Sequence, residues 1–182
     1  MLDTVIAPVV DELRPYRGVL FAGMMLTADG PKVLEFNCRF GDPETEVLMP
    51  RMPYRVGTLF HACATGRLAF EAGHAGFDEG AAVTVVLASG GYPGPYATGL
   101  PIDGVDEAGA LEGVTVFHAG TARDRGGRLI TAGGRVLAVT GTGTTLAQAR
   151  ERAYAGVDRI SFEGMHFRTD IAAAAVLEGV ER

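Results

Sequence analysis

Glycine is the residue that most constrains this chain. The 182-residue sequence contains 26 glycines, about twice the share of roughly 7% found in average proteins. Much of this glycine lies in short clusters between apolar runs. Because glycine adopts the backbone angles of tight turns without steric penalty, the pattern predicts short strands joined by tight turns.

The first part of the chain has the pattern of a short helix followed by a β-hairpin. Residues 5–13 are apolar at helical spacing and stop before Pro15, which predicts the helix. Two β-type runs follow at residues 18–27 and 32–37, separated by residues 28–31. That connection contains an Asp-Gly pair, which is a hairpin signal between apolar runs.

Prolines shape the region after the hairpin. Pro43 suits the first position of a helix, with Asp42 as its cap. Pro50 and Pro53 then break or kink that helix. A second helix is predicted over residues 54–66.

The second part of the chain is rich in predicted strands. Apolar runs at residues 81–88 and 114–118 predict two of them, and residues 128–139 have the pattern of a hairpin turned at Gly133 and Gly134. Three or four strands are implied. A final helix begins at Thr145, which forms a T-x-x-Q capping box with Gln148. One stripe of that helix is expected to be buried, namely Leu146, Ala149, Ala153, Val157 and Ile160.

A segment poor in large apolar residues, residues 67–80, separates these two parts. It contains three glycines and is typical of a connection between structural units. We therefore predict an α+β chain in two pieces. The first covers residues 1–68, and the second, a small β-rich domain with a terminal helix, covers residues 78–182.

Composition excludes several classes of function. The formal net charge is −6 and the basic residues are scattered, so nucleic acid and anionic membranes are not expected partners. The chain has no apolar run of about 20 residues and no basic amino-terminal segment, which predicts a soluble, cytoplasmic protein. Its two cysteines, Cys38 and Cys63, have neither zinc-site nor disulfide-framework spacing and are expected to be reduced.

Three polar residues alternate at the end of the predicted hairpin. On a strand, Glu35, Asn37 and Arg39 would share one face, while Leu34 and Phe36 would pack behind. Magnesium prefers oxygen ligands and is usually held by one or two protein oxygens, so the first two residues suit it. The guanidinium offers a planar fork for a phosphate or carboxylate. The set fits phosphoryl transfer.

A structural explanation of the same residues is an amphipathic hairpin that exposes Glu35, Asn37 and Arg39 to water. The following residues, 41–44, favour the functional interpretation because they are predicted to open a helix directly after the polar face. The start of a helix has free backbone N–H groups that favour anions.

The sequence EFNCRFGDPET of residues 35–45 resembles the signature of glycinamide ribonucleotide synthetases, which are ATP-grasp enzymes of purine synthesis. Further similar stretches follow in the order of that family and cover nearly the whole chain. They are residues 18–23, 87–94, 116–121, 133–137 and 162–165.

The resemblance implies that residues 1–68 are the carboxyl-terminal part of an ATP-grasp domain and that residues 78–182 are the family's carboxyl-terminal domain. The implied reaction joins glycine to 5-phosphoribosylamine. ATP first phosphorylates the glycine carboxylate, and the amine then displaces phosphate.

The same resemblance implies roles for four residues. Glu35 and Asn37 match the family's ligands of the Mg²⁺ or Mn²⁺ that bridges the ATP phosphates. Arg39 is the implied catalytic residue, which holds the transferring phosphoryl or acyl-phosphate group. Arg39 and Asp42 are the implied substrate-binding residues.

Two departures from the family pattern limit this interpretation. The family's amino-terminal domain and the front of its ATP-grasp domain have no counterpart before Met1, so the partner expected for activity is that missing half. The family's usual Ser-Asp-Leu is replaced at residues 54–56. Two alternatives stay open, another ATP-grasp carboxylate–amine ligase and a non-catalytic metal-binding, nucleotide-binding or interaction fragment.

Other polar or glycine-rich features have structural explanations. Residues 141–145 resemble a dinucleotide-binding turn, but Leu146 occupies the third glycine position and a capped strand-to-helix turn explains the segment. Residues 89–94 either approach a substrate or form a tight turn. Cys38 is expected to pack on the opposite strand face. The four histidines are dispersed and are expected to be structural, namely His61, His74, His118 and His166.

Overall fold

The protein divides into two compact units. The computed structural model describes residues 6–12, 16–52, 56–68, 76–177 and 179. The first unit comprises Met1–Thr45 and Met52–Phe77, and the second comprises Glu46–Arg51 and Asp78–Arg182. The contiguous division into residues 1–68 and 78–182 stays a prediction.

The first unit contains the predicted hairpin. Helix α1 spans Ala7–Glu12, and the ends of the predicted helix, residues 5 and 13, lie outside the described residues. Strands β1 (Phe21–Thr27) and β2 (Gly30–Asn37) pair antiparallel from Thr27 opposite Gly30 to Phe21 opposite Asn37. The hairpin prediction is therefore confirmed, with the turn at the position of the Asp-Gly pair.

The helix after the hairpin begins later than predicted, so its predicted start is wrong. Residues 42–44 form turns, and helix α2 spans only Thr45–Leu48 before a 3₁₀ turn at Met49–Arg51. Asp42 is not its cap and Pro43 is not its first residue, since both residues lie in the turn that precedes the helix. The chain first closes a turn, in which the Thr45 amide donates to the Gly41 carbonyl at 3.2 Å.

Helix α3 spans Val56–Ala64. Its predicted start at Tyr54 and the neighbouring Arg55 lie outside the described residues, as does Pro53. The helix ends with a hydrogen bond from the Gly66 amide to the Cys63 carbonyl at 3.2 Å, close to the predicted end.

A three-stranded antiparallel sheet forms the core of the second unit. Strands β3 (Ala81–Ala88) and β4 (Val114–His118) flank the central strand β7 (Arg135–Gly143). Leu87, Leu137 and other apolar side chains of these strands are fully buried. Burying one such side chain contributes about 1.5–3 kcal/mol, so this sheet is where the apolar pattern contributes most to stability.

Helix α5 (Leu146–Val157) packs on this sheet. A Cβ atom on Gly141 of β7 would overlap the helix backbone at Ala149 and Ala153. The missing side chain of this glycine therefore permits a close approach of helix and strand. Ala149, Ala153 and Val157 are buried as predicted, whereas Leu146 is partly buried. Ile160 is buried too, but it lies beyond the end of the helix and not on its stripe.

The predicted capping box is half correct. The Thr145 hydroxyl accepts from the Gln148 amide at 3.2 Å, as an N-cap does. The Gln148 side chain does not return to Thr145, because its Oε1 accepts from the Thr144 amide at 2.8 Å. The predicted cap is confirmed, and the reciprocal bond is displaced by one residue.

The predicted hairpin over residues 128–139 is wrong. Strand β6 (Leu129–Thr131) pairs with β5 (Thr121–Arg123) and not with β7. Asp124 Oδ1 closes the β5–β6 turn by accepting from the Gly126 amide at 2.8 Å. At Gly133 the chain leaves this ribbon for the larger sheet.

Among its described residues, the second unit thus contains five strands, and the prediction of three or four is wrong. Two short helices were also not predicted, α4 (Val105–Gly109) and α6 (Ala173–Leu177). Each has five residues, too few to show a helical period. Across the described ranges, no helix combines the length and the apolar character needed to cross a membrane.

The segment Glu46–Arg51 belongs to the second unit although first-unit residues flank it. Thr140 of β7 donates its hydroxyl hydrogen to the Glu46 carbonyl at 3.0 Å. At the other end, the Asp78 amide donates to the Arg51 carbonyl at 2.7 Å, and Arg51 Nη2 donates to the Asp78 carbonyl at 3.0 Å. These bonds attach the segment to β7 and to the residues before β3.

Candidate functional site

Glu35 and Asn37 lie two residues apart on β2 and their side chains touch. Asn37 Nδ2 donates a hydrogen bond to Glu35 Oε1 at 2.9 Å. Two side chains in direct contact at positions i and i+2 of a strand share one face. The structure therefore brings together the two residues predicted as metal ligands.

The expectation that Leu34 and Phe36 pack behind this face is wrong in part. Phe36 is half-buried, but Leu34 is 65% exposed. The reason is the small sheet, since β2 pairs with β1 in a ribbon of two strands and such a ribbon lacks the burial that a packed sheet gives its apolar side.

A β-bulge at Leu34 of β2 adjoins Glu35. Gly23 of β1 is its cross-strand partner, and the register shifts between Gly23 and Met24. A Cβ atom on Gly23 would lie 3.0 Å from Glu35 Cγ. Bulges redirect side chains and increase the local twist, so this glycine leaves room for the carboxylate. Sequence reasoning did not single out Gly23, although the glycine inside an apolar strand was the available signal.

Glu35, Arg39 and Asp42 line one groove of about 730 Å³ in the first unit. Asn37 is not among the lining residues, so three of the four predicted site residues open into it. Arg39 Nη1 donates to the Phe40 carbonyl at 2.7 Å. The remaining lining residues come from both strands and from the turn after them, namely Phe21, Ala22, Gly23, Met24, Leu26, Leu34, Gly41 and Glu44.

Glu44 is a groove residue that sequence reasoning missed. Its carboxylate packs on Gly41, where a Cβ atom would overlap Glu44 Oε2 and lie 2.9 Å from Glu44 Cδ. The Gly-Asp-Pro-Glu run predicts the start of a helix, a pattern that carries no information on where the Glu44 side chain lies. Because α2 begins only at Thr45 and has four residues, the prediction of an anion-attracting helix start after the polar face is wrong.

The charges of the groove favour a cation. Its lining includes three carboxylates, those of Glu35, Asp42 and Glu44, and one guanidinium, that of Arg39. Within the part of the chain that the structure describes, no three His, Cys, Asp or Glu side chains converge into a ready metal site. A magnesium ion needs only one or two protein oxygens when phosphates and water supply the rest, and the Glu35–Asn37 pair offers them.

The glycine-rich loop of residues 89–94 forms a packed turn in the second unit. Ser89 is 1% exposed, and its hydroxyl donates to the Gly133 carbonyl at 2.8 Å. Gly134 faces the ring of Tyr92 so closely that a Cβ atom would overlap it. These contacts account for the loop by internal packing, which favours the tight-turn alternative.

The described histidines have local structural contacts. His118 Nδ1 lies 3.0 Å from the Thr121 hydroxyl, and His61 Nε2 lies 3.3 Å from Arg67 Nη2. The backbone of His166 exchanges hydrogen bonds with that of Ala88. His74 lies outside the described residues.

Comparisons with protein families agree with this architecture. Residues 1–45 match the model described as the ATP-grasp (A) domain of phosphoribosylglycinamide synthetase, so the hairpin and its polar face are those of an ATP-grasp domain. Residues 82–174 match the model described as the C domain of the same enzyme. The chain therefore belongs to the phosphoribosylglycinamide synthetase family, and the predicted α+β fold is confirmed.

Curated relatives and a solved structure align with most of this chain. It is 48% identical over 180 residues to phosphoribosylamine–glycine ligase of Leifsonia xyli subsp. xyli and 49% identical over 181 residues to that of Streptomyces coelicolor. In both comparisons, the alignment covers 96% of this chain and 43% of the relative.

The crystal structure of phosphoribosylamine–glycine ligase from Thermotoga maritima matches this chain with 38% sequence identity and a TM-score of 0.70. The match covers 90% of this chain and 39% of that one. The chain thus spans less than half the length of these relatives.

Proposed function

We propose that this chain supplies the metal-binding end of a phosphoribosylamine–glycine ligase site. The observation that carries the proposal is the contact between Glu35 and Asn37 at 2.9 Å on one face of β2. The groove beside it holds Arg39 and Asp42. These residues fall within the stretch that matches the ATP-grasp domain model.

The proposed reaction joins glycine to 5-phosphoribosylamine at the expense of ATP. The glycine carboxylate takes the terminal phosphoryl group of ATP, which gives glycyl phosphate and ADP. The amine then attacks the glycyl carbon, phosphate leaves, and glycinamide ribonucleotide is formed. Both steps move highly charged groups, so positioning and charge neutralisation are the main tasks of the protein.

The residues present fit a hard divalent cation, Mg²⁺ or Mn²⁺. The hydrogen bond between Asn37 Nδ2 and Glu35 Oε1 leaves Glu35 Oε2 and Asn37 Oδ1 as oxygen donors, the ligand type such a cation prefers. We assign these two residues as its protein ligands. When bound, the cation neutralises phosphate charge and aligns the γ-phosphate.

Arg39 and Asp42 have complementary tasks in this proposal. A guanidinium has five N–H donors, so the bond from Arg39 to the Phe40 carbonyl leaves several for the oxygens of a transferring phosphoryl or acyl-phosphate group. The Asp42 carboxylate, in the same groove, suits a positively charged or hydroxyl group of a substrate.

The remainder of the relatives' length is the proposed partner in catalysis. The hairpin exposes four large apolar side chains, which are 42% to 81% exposed, and apolar surface of this kind marks an interaction site when it is contiguous. We propose that it packs against the part that completes the ATP site. These side chains are Met25, Leu26, Val33 and Leu34.

A phosphate-release assay with ATP, glycine and 5-phosphoribosylamine tests the proposal. We expect no detectable turnover from the 182 residues alone, because a metal pair cannot by itself position ATP against a carboxylate. Adding a polypeptide that covers the rest of a relative's length should produce glycine-dependent release. Robust turnover by the 182 residues alone would overturn the half-site proposal.

Persistent inactivity after that addition, together with Mg-ATP binding by calorimetry, would instead support the non-catalytic alternative. Phosphate release that responds to another carboxylic acid and not to glycine would support a different ATP-grasp ligase. The two outcomes are distinguished by varying the acid and the amine separately.

In the active combination, Glu35→Gln should raise the magnesium concentration needed for half-maximal rate at least about tenfold, since a neutral amide is a weaker ligand. Arg39→Lys should also slow turnover, because an ammonium lacks the bidentate fork. Glu107→Gln, an exposed change on α4 of the second unit, is the matched control. A normal magnesium titration for Glu35→Gln would remove this residue from the site.

A further inference from the structure

Thr140 is a fully buried polar residue of β7. It stands between Val139 and Gly141, and none of its surface is exposed. Gly141 faces the backbone of α5, and successive residues of a strand point to opposite faces of the sheet. The Thr140 side chain therefore lies on the face that is turned away from α5.

The direction of the Thr140 hydrogen bonds follows from their partners. Its Oγ1 lies 3.0 Å from the Glu46 carbonyl and 2.9 Å from the Thr84 hydroxyl. A carbonyl can only accept, so Thr140 donates to Glu46 and accepts from Thr84. The other acceptor near the Thr84 hydroxyl, the Val139 carbonyl, is more distant at 3.5 Å. The two hydroxyls thus form one directed chain of hydrogen bonds that ends on the Glu46 carbonyl.

Thr84 occupies the position on β3 that serves this chain. It stands directly opposite Thr140 in the register of β3 and β7, and every other residue of β3 is alanine, valine or leucine. Burying a hydroxyl is unfavourable unless it is hydrogen-bonded, and valine would fill the same space. The threonine pair is therefore explained by the carbonyl that it binds.

The bound carbonyl lies next to the groove along the chain. Thr45 directly precedes Glu46, and both the amide and the hydroxyl of Thr45 donate to the Gly41 carbonyl, the amide at 3.2 Å. Asp42 and Glu44, which line the groove, lie in the turn that these two bonds close. A restraint on the Glu46 carbonyl thus acts one residue away from the bonds that close the turn.

We propose that Thr140 is a positioning residue for the substrate side of the proposed ligase site. Its hydroxyl holds the Glu46 carbonyl, which keeps the turn that carries Asp42 in one conformation before a substrate binds. Thr84 supports it by donating to the Thr140 oxygen, which leaves the Thr140 hydrogen for Glu46. The effect on a substrate rests on the proposed function, whereas the restraint on the turn is independent of any activity.

The proposed metal ligands should not depend on Thr140. Glu35 and Asn37 lie on β2, before the turn, and are in direct contact with each other. Loss of the Thr140 hydroxyl should therefore change the KM of a substrate and leave the magnesium requirement unchanged.

Hydrogen exchange of backbone amides, followed by NMR on the 182-residue chain, tests the restraint. Thr140→Val removes the hydroxyl and keeps the branched shape. We expect the Thr45 amide to exchange at least about fivefold faster, a factor typical of the loss of one net hydrogen bond. The amide of Val139, in the centre of the sheet, should keep its rate and shows whether the whole fold has been weakened.

Two further variants separate the hydroxyl from the general packing of the sheet. Thr140→Ser keeps the hydroxyl and should restore slow exchange of the Thr45 amide. Thr115→Val is the matched control, since Thr115 is exposed and stands directly opposite Thr140 on β4. A native rate at Thr45 in Thr140→Val, or equal acceleration in Thr115→Val, would overturn the proposal.

The catalytic consequence is measured in the active combination with the rest of a relative's length. Thr140→Val should raise, at least about fivefold, the KM of the substrate whose KM Asp42→Asn also raises. The double variant should show less than the product of the two effects, because both act on one contact. A fall in kcat alone, a raised magnesium requirement, or fully multiplicative effects would contradict the positioning role. Absence of turnover in the native combination would overturn the proposed function, and the exchange rates would still decide whether Thr140 holds the turn.

Discussion

Strands β2 and β7 are both evident in the sequence, yet they have opposite environments. Residues 31–35 of β2 are all exposed, whereas residues 136–141 of β7 are all buried. The central strand has a neighbour on each side and a helix packed on its sheet, but β2 has one neighbour in a ribbon of two strands. The comparison shows that local pairing is enough to define a strand, while burial determines how much that strand stabilises the fold.

Leucine truncation should show the largest contrast between the two strands. Leu137 of β7 is 0% exposed and Leu34 of β2 is 65% exposed. We expect Leu137→Ala to lower the free energy of unfolding by about 2–5 kcal/mol and Leu34→Ala to change it by less than about 0.5 kcal/mol. Urea titrations followed by circular dichroism measure both. Similar losses for the two variants would mean that the hairpin is covered in solution and would break the comparison.

Two glycine-to-alanine substitutions test the close packing of α5 on β7. Gly141→Ala forces a methyl group into the backbone of α5, and overpacking of this kind costs about 1–3 kcal/mol. Gly109→Ala is the control, since a Cβ atom there meets nothing within 4 Å. We expect the first change to lower Tm by several degrees, at about 2–4 °C per kcal/mol, and the second to leave it nearly unchanged. A Tm for Gly141→Ala equal to that of the control would show that the helix can move away without loss.

The smallest expected effect is a pH-dependent change in stability that comes from an ion pair on the exposed surface of the second unit. The hydrogen bond from Arg168 lowers the pKa of the Asp170 carboxyl below its ordinary value of 3.8. A lowered folded-state pKa stabilises the fold above the unfolded value, and this contribution is lost as pH falls through the folded value, hence below about pH 3.8. Both side chains are largely exposed, so salt should screen the effect.

An NMR titration of Asp170 measures this effect. The midpoint should lie below 3.8 in the native chain and should return toward that value in Arg168→Gln. A midpoint that the substitution leaves unchanged would mean that the ion pair does not form in solution. An unchanged midpoint would also show that this exposed polar pair, like the exposed apolar residues of β2, contributes little to folding.

The elements that could be predicted from the sequence are those with a local signal. The β1–β2 hairpin followed from an Asp-Gly pair between apolar runs, and the start of α5 followed from Thr145. The pairing of β6 could not be predicted, because the choice between β5 and β7 depends on long-range packing near Gly120, where a Cβ atom would lie 2.6 Å from the Gly133 Cα. Sequence periodicity contains no such information.

The candidate site shows the same limit. The shared face of Glu35 and Asn37 follows from strand alternation, and the structure brings the two side chains into contact. The position of the Glu44 side chain depends on how the chain folds back after β2, which no local pattern describes, whereas the bulge beside Gly23 had a local signal in the glycine itself. The functional roles of the four predicted residues stay predictions that the magnesium titration and the phosphate-release assay address.

The segment Glu46–Arg51 has a consequence for the way this molecule can be dissected. The chain passes from one unit to the other at three junctions, after Thr45, after Arg51 and after Phe77. No single cut therefore separates the units, and a gene beginning at codon 78 would encode the second unit without the peptide that bonds to Thr140 and Asp78. Each unit consists of two segments that alternate along the chain. Recombination that exchanges one unit would therefore have to transfer both of its segments, so the two units are expected to be inherited together.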